Sequence, residues 1–383
     1  MNKPKRKKIM LVFGTRPEAI KMSPVINALK DDPDYFDVCV CITAQHRQML
    51  DQVLDVFQIT PDVDLDIMDP SQDLFDITST VLLEMKKVFD SKKPDIILVH
   101  GDTTTMLASS IAAFYAGIPV GHIEAGLRTN NLNAPFPEEF NRQVASKISK
   151  WHFTPTDLGK KNLICDGVHP SSITVTGNTV VDALFWVLDR VDNSLKTKKA
   201  LSDMLNKMIE FNWRKERFVM ITGHRRENFG DGFLNICQAI KALASKYSTT
   251  HFLYPVHMNP NVQKPVNQIL KGFSNIHLIK PLTYEPFIYL LKHSHIVLTD
   301  SGGIQEEAPS LGKPVLVMRD LTERPEAVEA GTVRLVGTDK HKIIQGVQDL
   351  LDNKLLYKKM SKIHNPYGDG KASKRILKVL KSI

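Results

Sequence analysis

Two doubly wound α/β domains in tandem are what this sequence predicts, on three observations. Short, continuously apolar stretches alternate with helical ones in two series, the first starting at Lys8 and the second at Phe218. Uninterrupted apolar strands between helices mean parallel sheets covered on both faces. A chain of 383 residues suits two domains of ordinary size. Charged residues also collect just past the apolar stretches, where such sheets bind their ligands.

The first series opens with an apolar strand over 8–13 that stops at Gly14. Thr15, Pro17 and Glu18 then have the spacing of an N-cap, a first-turn proline and a capping box, so a helix follows. Strands are expected at 37–42, 95–99 and 119–123, and helices at 45–57, 74–89 and 104–115. The alternating Asp62, Asp64 and Asp66 suggest an exposed strand. Residues 192–199, polar and rich in lysine, are the best linker candidate. In the second series, strands are expected at 218–222, 252–255, 276–279, 296–299 and 315–318, with a helix at 233–245. The tail over 371–383 reads as a short basic amphipathic helix. This places a first domain over 1–185 and a second over 200–367.

Composition removes several function classes. The net charge of +8 sits partly at the termini, and no basic stripe is interleaved with aromatics, so nucleic acid is not the expected partner. No apolar run approaches the roughly 18 residues that span a bilayer, and the basic start lacks the apolar stretch of a signal peptide. The four cysteines, Cys39, Cys41, Cys165 and Cys237, form no CxxC pair. A reduced, cytoplasmic protein without structural zinc is therefore expected. There is no G-x-G-x-x-G, and Gly312-Lys313 runs into Pro314 rather than forming a Walker loop, so no dinucleotide cofactor is expected.

The richest stretch is 297–307, Val-Leu-Thr-Asp-Ser-Gly-Gly-Ile-Gln-Glu-Glu. A strand ends at Asp300, and Ser301, Gly302 and Gly303 open a helical pattern. Glycines let backbone approach a ligand closely, and a helix start favours a phosphate. Glu306 and Glu307 follow within a turn, where a carboxylate can accept from ribose hydroxyls. A plain tight turn with a serine cap fits the same residues. Elsewhere, Arg16 and Lys21 follow the first strand, and His100 and Asp102 the strand at 95–99. His122, Glu124 and Arg128 follow in turn, then Glu138, Glu139 and Arg142, and later His224 to Asn228 and His257. Asp102 alone could cap a helix, and Glu138 could be a helix-start charge. Acids and bases recurring at one edge of two sheets are what acid–base chemistry near a phosphate needs. Four of these residues, His100, Asp102, His122 and Glu124, also have metal-ligand chemistry, but no metal is expected.

Seven motifs together carry a resemblance: Gly14-Thr-Arg-Pro-Glu-Ala-Ile-Lys21, His100-Gly-Asp-Thr-Thr104, His122-Ile-Glu-Ala-Gly-Leu-Arg128, Pro137-Glu-Glu139, Thr176-Gly-Asn178, Gly223-His-Arg-Arg-Glu-Asn228 and Thr299-Asp-Ser-Gly-Gly-Ile-Gln-Glu-Glu307. In order and in span they resemble the non-hydrolysing UDP-N-acetylglucosamine 2-epimerases of bacteria. The resemblance implies a glycosyltransferase-B fold with the active site in the interdomain cleft and a C-terminal helix, 368–383, returning to the first domain. It implies a cytoplasmic homodimer that interconverts UDP-N-acetylglucosamine and UDP-N-acetylmannosamine for envelope polysaccharide synthesis.

By the same resemblance, Asp102, Glu124 and Glu138 work on protons around C2, and His224 with Arg16 and Lys21 steadies the departing diphosphate. Ser301, Gly302 and Gly303 hold the phosphates, Glu307 the ribose, and Arg142, Asn178 and Arg324 contact the nucleotide sugar. A second, regulatory UDP-N-acetylglucosamine site falls on Gln45, His46, Gln48, Gln72, Glu138, Arg225 and His257. Ser71 stands where one family version has arginine. A hydrolysing epimerase, a retaining glycosyltransferase of the same fold and a silent nucleotide-sugar sensor are the rival readings.

Overall fold

A computed structural model describes residues 6–44, 47–69 and 72–383, and the chain divides into two compact units. Unit 1 comprises Met1–Trp186 and Tyr367–Ile383, and unit 2 comprises Val187–Pro366.

Unit 1 runs β1 (Lys7–Phe13), α1 (Arg16–Lys30), β2 (Phe36–Ile42), α2 (Arg47–Phe57), β3 (Val63–Asp64), α3 (Leu74–Lys92), β4 (Ile96–His100), α4 (Thr104–Tyr115), β5 (Val120–Ile123), α5 (Glu138–Ile148), β6 (Trp151–Thr154), α6 (Asp157–Cys165), β7 (Ile173–Val175) and the start of α7 (Thr179–Asn193). Its sheet is parallel throughout, in the order β3-β2-β1-β4-β5-β6-β7. Ile9 to Phe13 are fully buried, which is why β1 reads as an unbroken apolar run.

Unit 2 continues with α8 (Leu195–Met208), β8 (Phe218–Thr222), α9 (Asp231–Lys246), β9 (His251–Pro255), α10 (Pro260–Leu270), β10 (Ile276–Ile279), α11 (Tyr284–His293), β11 (Ile296–Thr299), α12 (Gly302–Glu307), β12 (Val315–Val317), α13 (Pro325–Ala330), β13 (Val333–Leu335), α14 (Lys340–Asp352) and α15 (Lys354–Lys362). Its parallel sheet has the order β10-β9-β8-β11-β12-β13.

The closing helix, α16 (Ala372–Ser382), belongs to unit 1. The buried Asp182 carboxylate accepts from the N–H groups of Ala372 (3.1 Å) and Ser373 (2.8 Å), which pins its first turn. Lys7 Nζ donates to the Leu380 carbonyl at the other end (2.9 Å).

Both sheets reverse strand order once, between β1 and β4 in unit 1 and between β8 and β11 in unit 2. Chain leaving two adjacent strands in opposite directions opens a crevice at their carboxyl ends. In unit 1 it is edged by Gly14 to Arg16 and Gly101 to Asp102, and in unit 2 by Gly223 to Arg225 and Asp300 to Gly303.

The unit 1 turn is tightly specified. A Cβ on Gly14 would lie 2.0 Å from Thr43 Oγ1, so only glycine fits. The capping box forms: Glu18 accepts from the N–H groups of Gly14 (3.0 Å) and Thr15 (2.8 Å). Its other oxygen takes Thr103 Oγ1 (2.6 Å), which ties the β1–α1 turn to the β4–α4 turn.

Several expectations need correction. The suggested linker at 192–199 is the end of α7 and the start of α8, broken at Ser194, whose side chain caps α8. The acidic stretch pairs with β2 only at Val63 and Asp64, and Asp64 and Asp66 hold Arg47 rather than continuing a strand. The sheets also gain β6, β7 and β13, which no apolar run announces. Among the described residues, no helix is long and apolar enough to cross a membrane.

Candidate active site

In unit 1, Asp102 lies just past β4 on a turn made possible by Gly101, whose φ is +67°. His122 locks that turn. Burial pushes its imidazole down to about 3, so the ring is neutral and its Nε2 donates to the Gly101 carbonyl (2.6 Å). Asn141 Nδ2 donates to the Asp102 carbonyl (2.8 Å), and Arg142 Nη1 stands 3.5 Å from the Asp102 carboxylate. Arg142 is itself buried and held by Glu139 at 2.8 Å.

Although 30% of the Asp102 side chain reaches solvent, enough protein surrounds the carboxyl for burial to push it up to about 7. Arg142 pulls the other way, while Glu124 and Glu138 add to the rise and Lys21 opposes it. A carboxyl half-protonated near neutral pH can exchange protons in either direction.

Glu124 follows β5 with φ +60°, the left-handed region that a non-glycine residue occupies at a cost of about 1 kcal/mol. What holds it there is a buried cluster. Lys21 pairs closely with its carboxylate, and Asn178 Nδ2 donates to the same oxygen (2.7 Å). His100 Nε2 stands 3.8 Å away, neutral because burial lowers its imidazole to about 4. Glu138 opens α5, and its buried Oε2 has no hydrogen-bond partner among the described residues. Arg16 is half-buried at the start of α1. Arg128 instead pairs with Asp166 (2.7 Å), away from these acids. Among the described residues no group of three or more His, Cys, Asp or Glu side chains converges as a metal site.

In unit 2, the turn after β11 is not a serine-capped one. The Ser301 side chain makes no capping hydrogen bond; its N–H is held by Thr299 Oγ1 (2.9 Å). The helix that follows, α12, is six residues long and passes into a 3-10 turn over Ala308–Leu311. Glu306, read with Glu307 as a ribose acceptor, is occupied by Arg324 Nε (2.6 Å). Glu307 accepts from the Tyr284 hydroxyl (2.8 Å).

Arg324 reaches the backbone at the start of α12 directly: a Cβ on Gly302 would lie 2.8 Å from its Nη1, whereas one on Gly303 would meet nothing within 4 Å. Gly302→Ala is therefore expected to displace the guanidinium and weaken UDP binding about tenfold, and Gly303→Ala to leave Arg324 in place. Calorimetric titration of UDP into both variants checks this.

His224 stands past β8, its ring stacked parallel on His257 with centroids 5.1 Å apart. Asp300 and Asn228 underlie this turn. Both stand in the quoted motifs, but neither was given a role from sequence, because both act on residues more than 70 positions away. Of the regulatory candidates, Gln72 donates to the Ile67 carbonyl, Arg225 N–H is held by Asp300 (2.8 Å), and His257 Nδ1 accepts from Asn259 N–H (3.2 Å). Gln45, His46 and Ser71 lie outside the described residues, as does the side chain of Gln48.

Two Rossmann-like parallel sheets, each with polar groups gathered at its switch point, define a protein of the glycosyltransferase-B class. The fold is shared with MurG from Acinetobacter baumannii at 14% identity and a TM-score of 0.60. The chain belongs to the UDP-N-acetylglucosamine 2-epimerase family, whose family model matches residues 27–381. It is 56% identical over 375 residues to UDP-N-acetylglucosamine 2-epimerase of Yersinia pestis, covering 98% of each chain. The UDP-GlcNAc 2-epimerase of Neisseria meningitidis, solved bound to UDP-GlcNAc, is 52% identical with a TM-score of 0.90, over 98% of this chain and all of that one. The Methanocaldococcus jannaschii enzyme, solved with UDP-GlcNAc and UDP, is 34% identical with a TM-score of 0.81, over 98% of this chain and all of that one.

Proposed function

We propose that this protein interconverts UDP-N-acetylglucosamine and UDP-N-acetylmannosamine by eliminating UDP and adding it back. The observation that carries the reading is the acid group of unit 1: Asp102, its carboxyl pushed up to about 7, with Glu124 and Glu138 near enough to contribute to that rise.

The chemistry asks for such a group. The proton on sugar C2 is not next to a carbonyl, so direct removal is very hard. If C1–O breaks as the C2 proton leaves, the bonding pair goes to the β-phosphate oxygen and a 2-acetamidoglucal remains. UDP then returns to C1 while a proton is delivered to the other face of C2. In this account Asp102, Glu124 and Glu138 exchange the protons, with Lys21, Arg142 and Asn178 holding the acids in place. His224 and Arg16 stabilise the developing charge on the diphosphate. Ser301, Gly302, Gly303 and Arg324 retain the phosphates, and Glu307 the ribose.

The parallel stacking of His257 on His224 supports a second proposal. A regulatory nucleotide sugar bound by Gln45, His46, Gln48, Gln72, Arg225 and His257 would be sensed at the leaving-group histidine. We further propose a cytoplasmic homodimer that needs no cofactor, with domains at 1–185 plus 368–383 and at 200–367.

Incubation with UDP-N-acetylglucosamine, followed by proton NMR, tests the reaction. The expected product is the epimer still joined to UDP. Free N-acetylmannosamine would make the protein a hydrolysing epimerase, and no change without an added acceptor would favour a glycosyltransferase.

A further inference from the structure

His224 depends on a residue that the reaction scheme does not use. Asp300, at the end of β11, is fully buried. Its Oδ2 accepts from the N–H groups of His224 (2.8 Å) and Arg225 (2.8 Å) and from Asn228 Nδ2 (3.3 Å). These bonds fix the 223–228 turn. Its Oδ1 is buried and has no hydrogen-bond donor among the described residues. A carboxylate oxygen removed from water without a donor is costly, and such an atom in a folded protein calls for an explanation.

The explanation stands 3.7 Å away, at His224 Nδ1. That separation is just beyond a hydrogen bond, and a small turn of the imidazole closes it. The side chain is 44% exposed, so the ring is open to solvent at the turn that edges the crevice. The His257 ring lies parallel to it at an angle of 14°, which bounds the face of the imidazole and not its nitrogen-bearing edge. Within unit 2, Asp300 past β11 and His257 from beyond β9 are titratable groups that face it, with Arg225 next to it in the chain.

We infer that Asp300 is a positioning residue for His224: it draws Nδ1–H into a hydrogen bond with Oδ1 and so aims Nε2–H at the oxygen of the departing diphosphate. The inference rests on the proposed elimination. As C1–O breaks, its electron pair goes to the β-phosphate oxygen, and Nε2–H donates to that oxygen. The buried carboxylate behind the ring stabilises the imidazolium, the form in which both ring nitrogens carry a proton. Its Oδ1 acts at a distance from the substrate, through the histidine, while Oδ2 holds the turn.

Two measurements test this. The first is nitrogen-15 NMR of the wild-type imidazoles with saturating UDP, His224 being assigned by loss of its signal in His224→Gln. The expected result is a proton on Nδ1; an unprotonated Nδ1 in the UDP complex would overturn the inference. The second compares Asp300→Asn with Asn228→Ala. Asn228→Ala removes a bond to Oδ2 and one to the Met318 carbonyl (3.1 Å) but leaves Oδ1 untouched, and is expected to lower thermal stability while leaving the pH profile of kcat/KM in place. Asp300→Asn turns an amide N–H toward Nδ1, which opposes a proton there and disfavours the imidazolium. It is expected to lower kcat about 100-fold and to move the alkaline limb of kcat/KM down by about one pH unit, with UDP affinity changed less than threefold. Identical pH profiles for the two variants would overturn the inference. A wild-type protein that makes no epimer yet shows Nδ1–H in its UDP complex would refute the reaction and leave the Asp300–His224 pairing standing.

Discussion

Replacing Asp102 by asparagine is expected to lower kcat by about 10³-fold, in the range general acid–base groups contribute, and to leave UDP affinity within a factor of about three. Asparagine keeps the size of the side chain, and the Asn141 bond to the Asp102 backbone carbonyl does not involve the carboxyl. The turn should therefore survive, and only the proton exchange is lost. The pH dependence follows from the carboxyl being pushed up to about 7, chiefly by burial. With Asp102 as the base for the C2 proton, the working form is the ionised one. Its share grows as pH climbs through about 7, so kcat/KM should rise between about pH 6 and 8. The opposite slope would assign Asp102 the role of the acid. Near-full activity in Asp102→Asn would remove it from the chemistry. Steady-state kinetics across this range decides between these outcomes.

Replacing Glu124 by alanine should cost both stability and activity. Its side chain and that of Lys21 are only 8% and 11% exposed. Removing one partner of a buried ion pair costs about 3–5 kcal/mol, because the other charge loses its counter-ion. For a unit of this size that corresponds to a fall of roughly 10 °C in Tm. Asn178 loses its acceptor as well. The double variant Glu124→Ala with Lys21→Met should recover most of the stability and none of the turnover. Thermal melts and activity assays on the three proteins separate the structural from the chemical part. A single variant that melts with the wild type would show that the pair contributes nothing to the fold.

The fold was largely legible because its inner strands are buried on both sides. Ile9 to Phe13 and Ile296 to Leu298 must be apolar throughout, and so they announce themselves. Three strands were not: Trp151–Thr154, Ile173–Val175 and Val333–Leu335 are three or four residues long and carry polar or half-buried positions. Neither their length nor their pattern separates them from loop.

The site divides in the same way. Local signals such as the Thr15–Glu18 capping box survive intact, since their partners are three residues apart. The residues that tune the site come from other strands. Thr103 meets Glu18 across 85 positions, and Asp300 meets His224 across 76. Only the pairing of β1 with β4 and of β8 with β11 brings them together. Glu306 illustrates the same limit. It falls within a turn of the phosphate seat, but what claims it is Arg324, 18 residues on.

The central claim is that UDP leaves and returns while the C2 proton is exchanged. The most direct measurement is to run the reaction to equilibrium in heavy water and read C2 of both nucleotide sugars by NMR and mass spectrometry. The account predicts deuterium at C2 in sugars still joined to UDP. Epimer formed with the original hydrogen kept at C2 would contradict it.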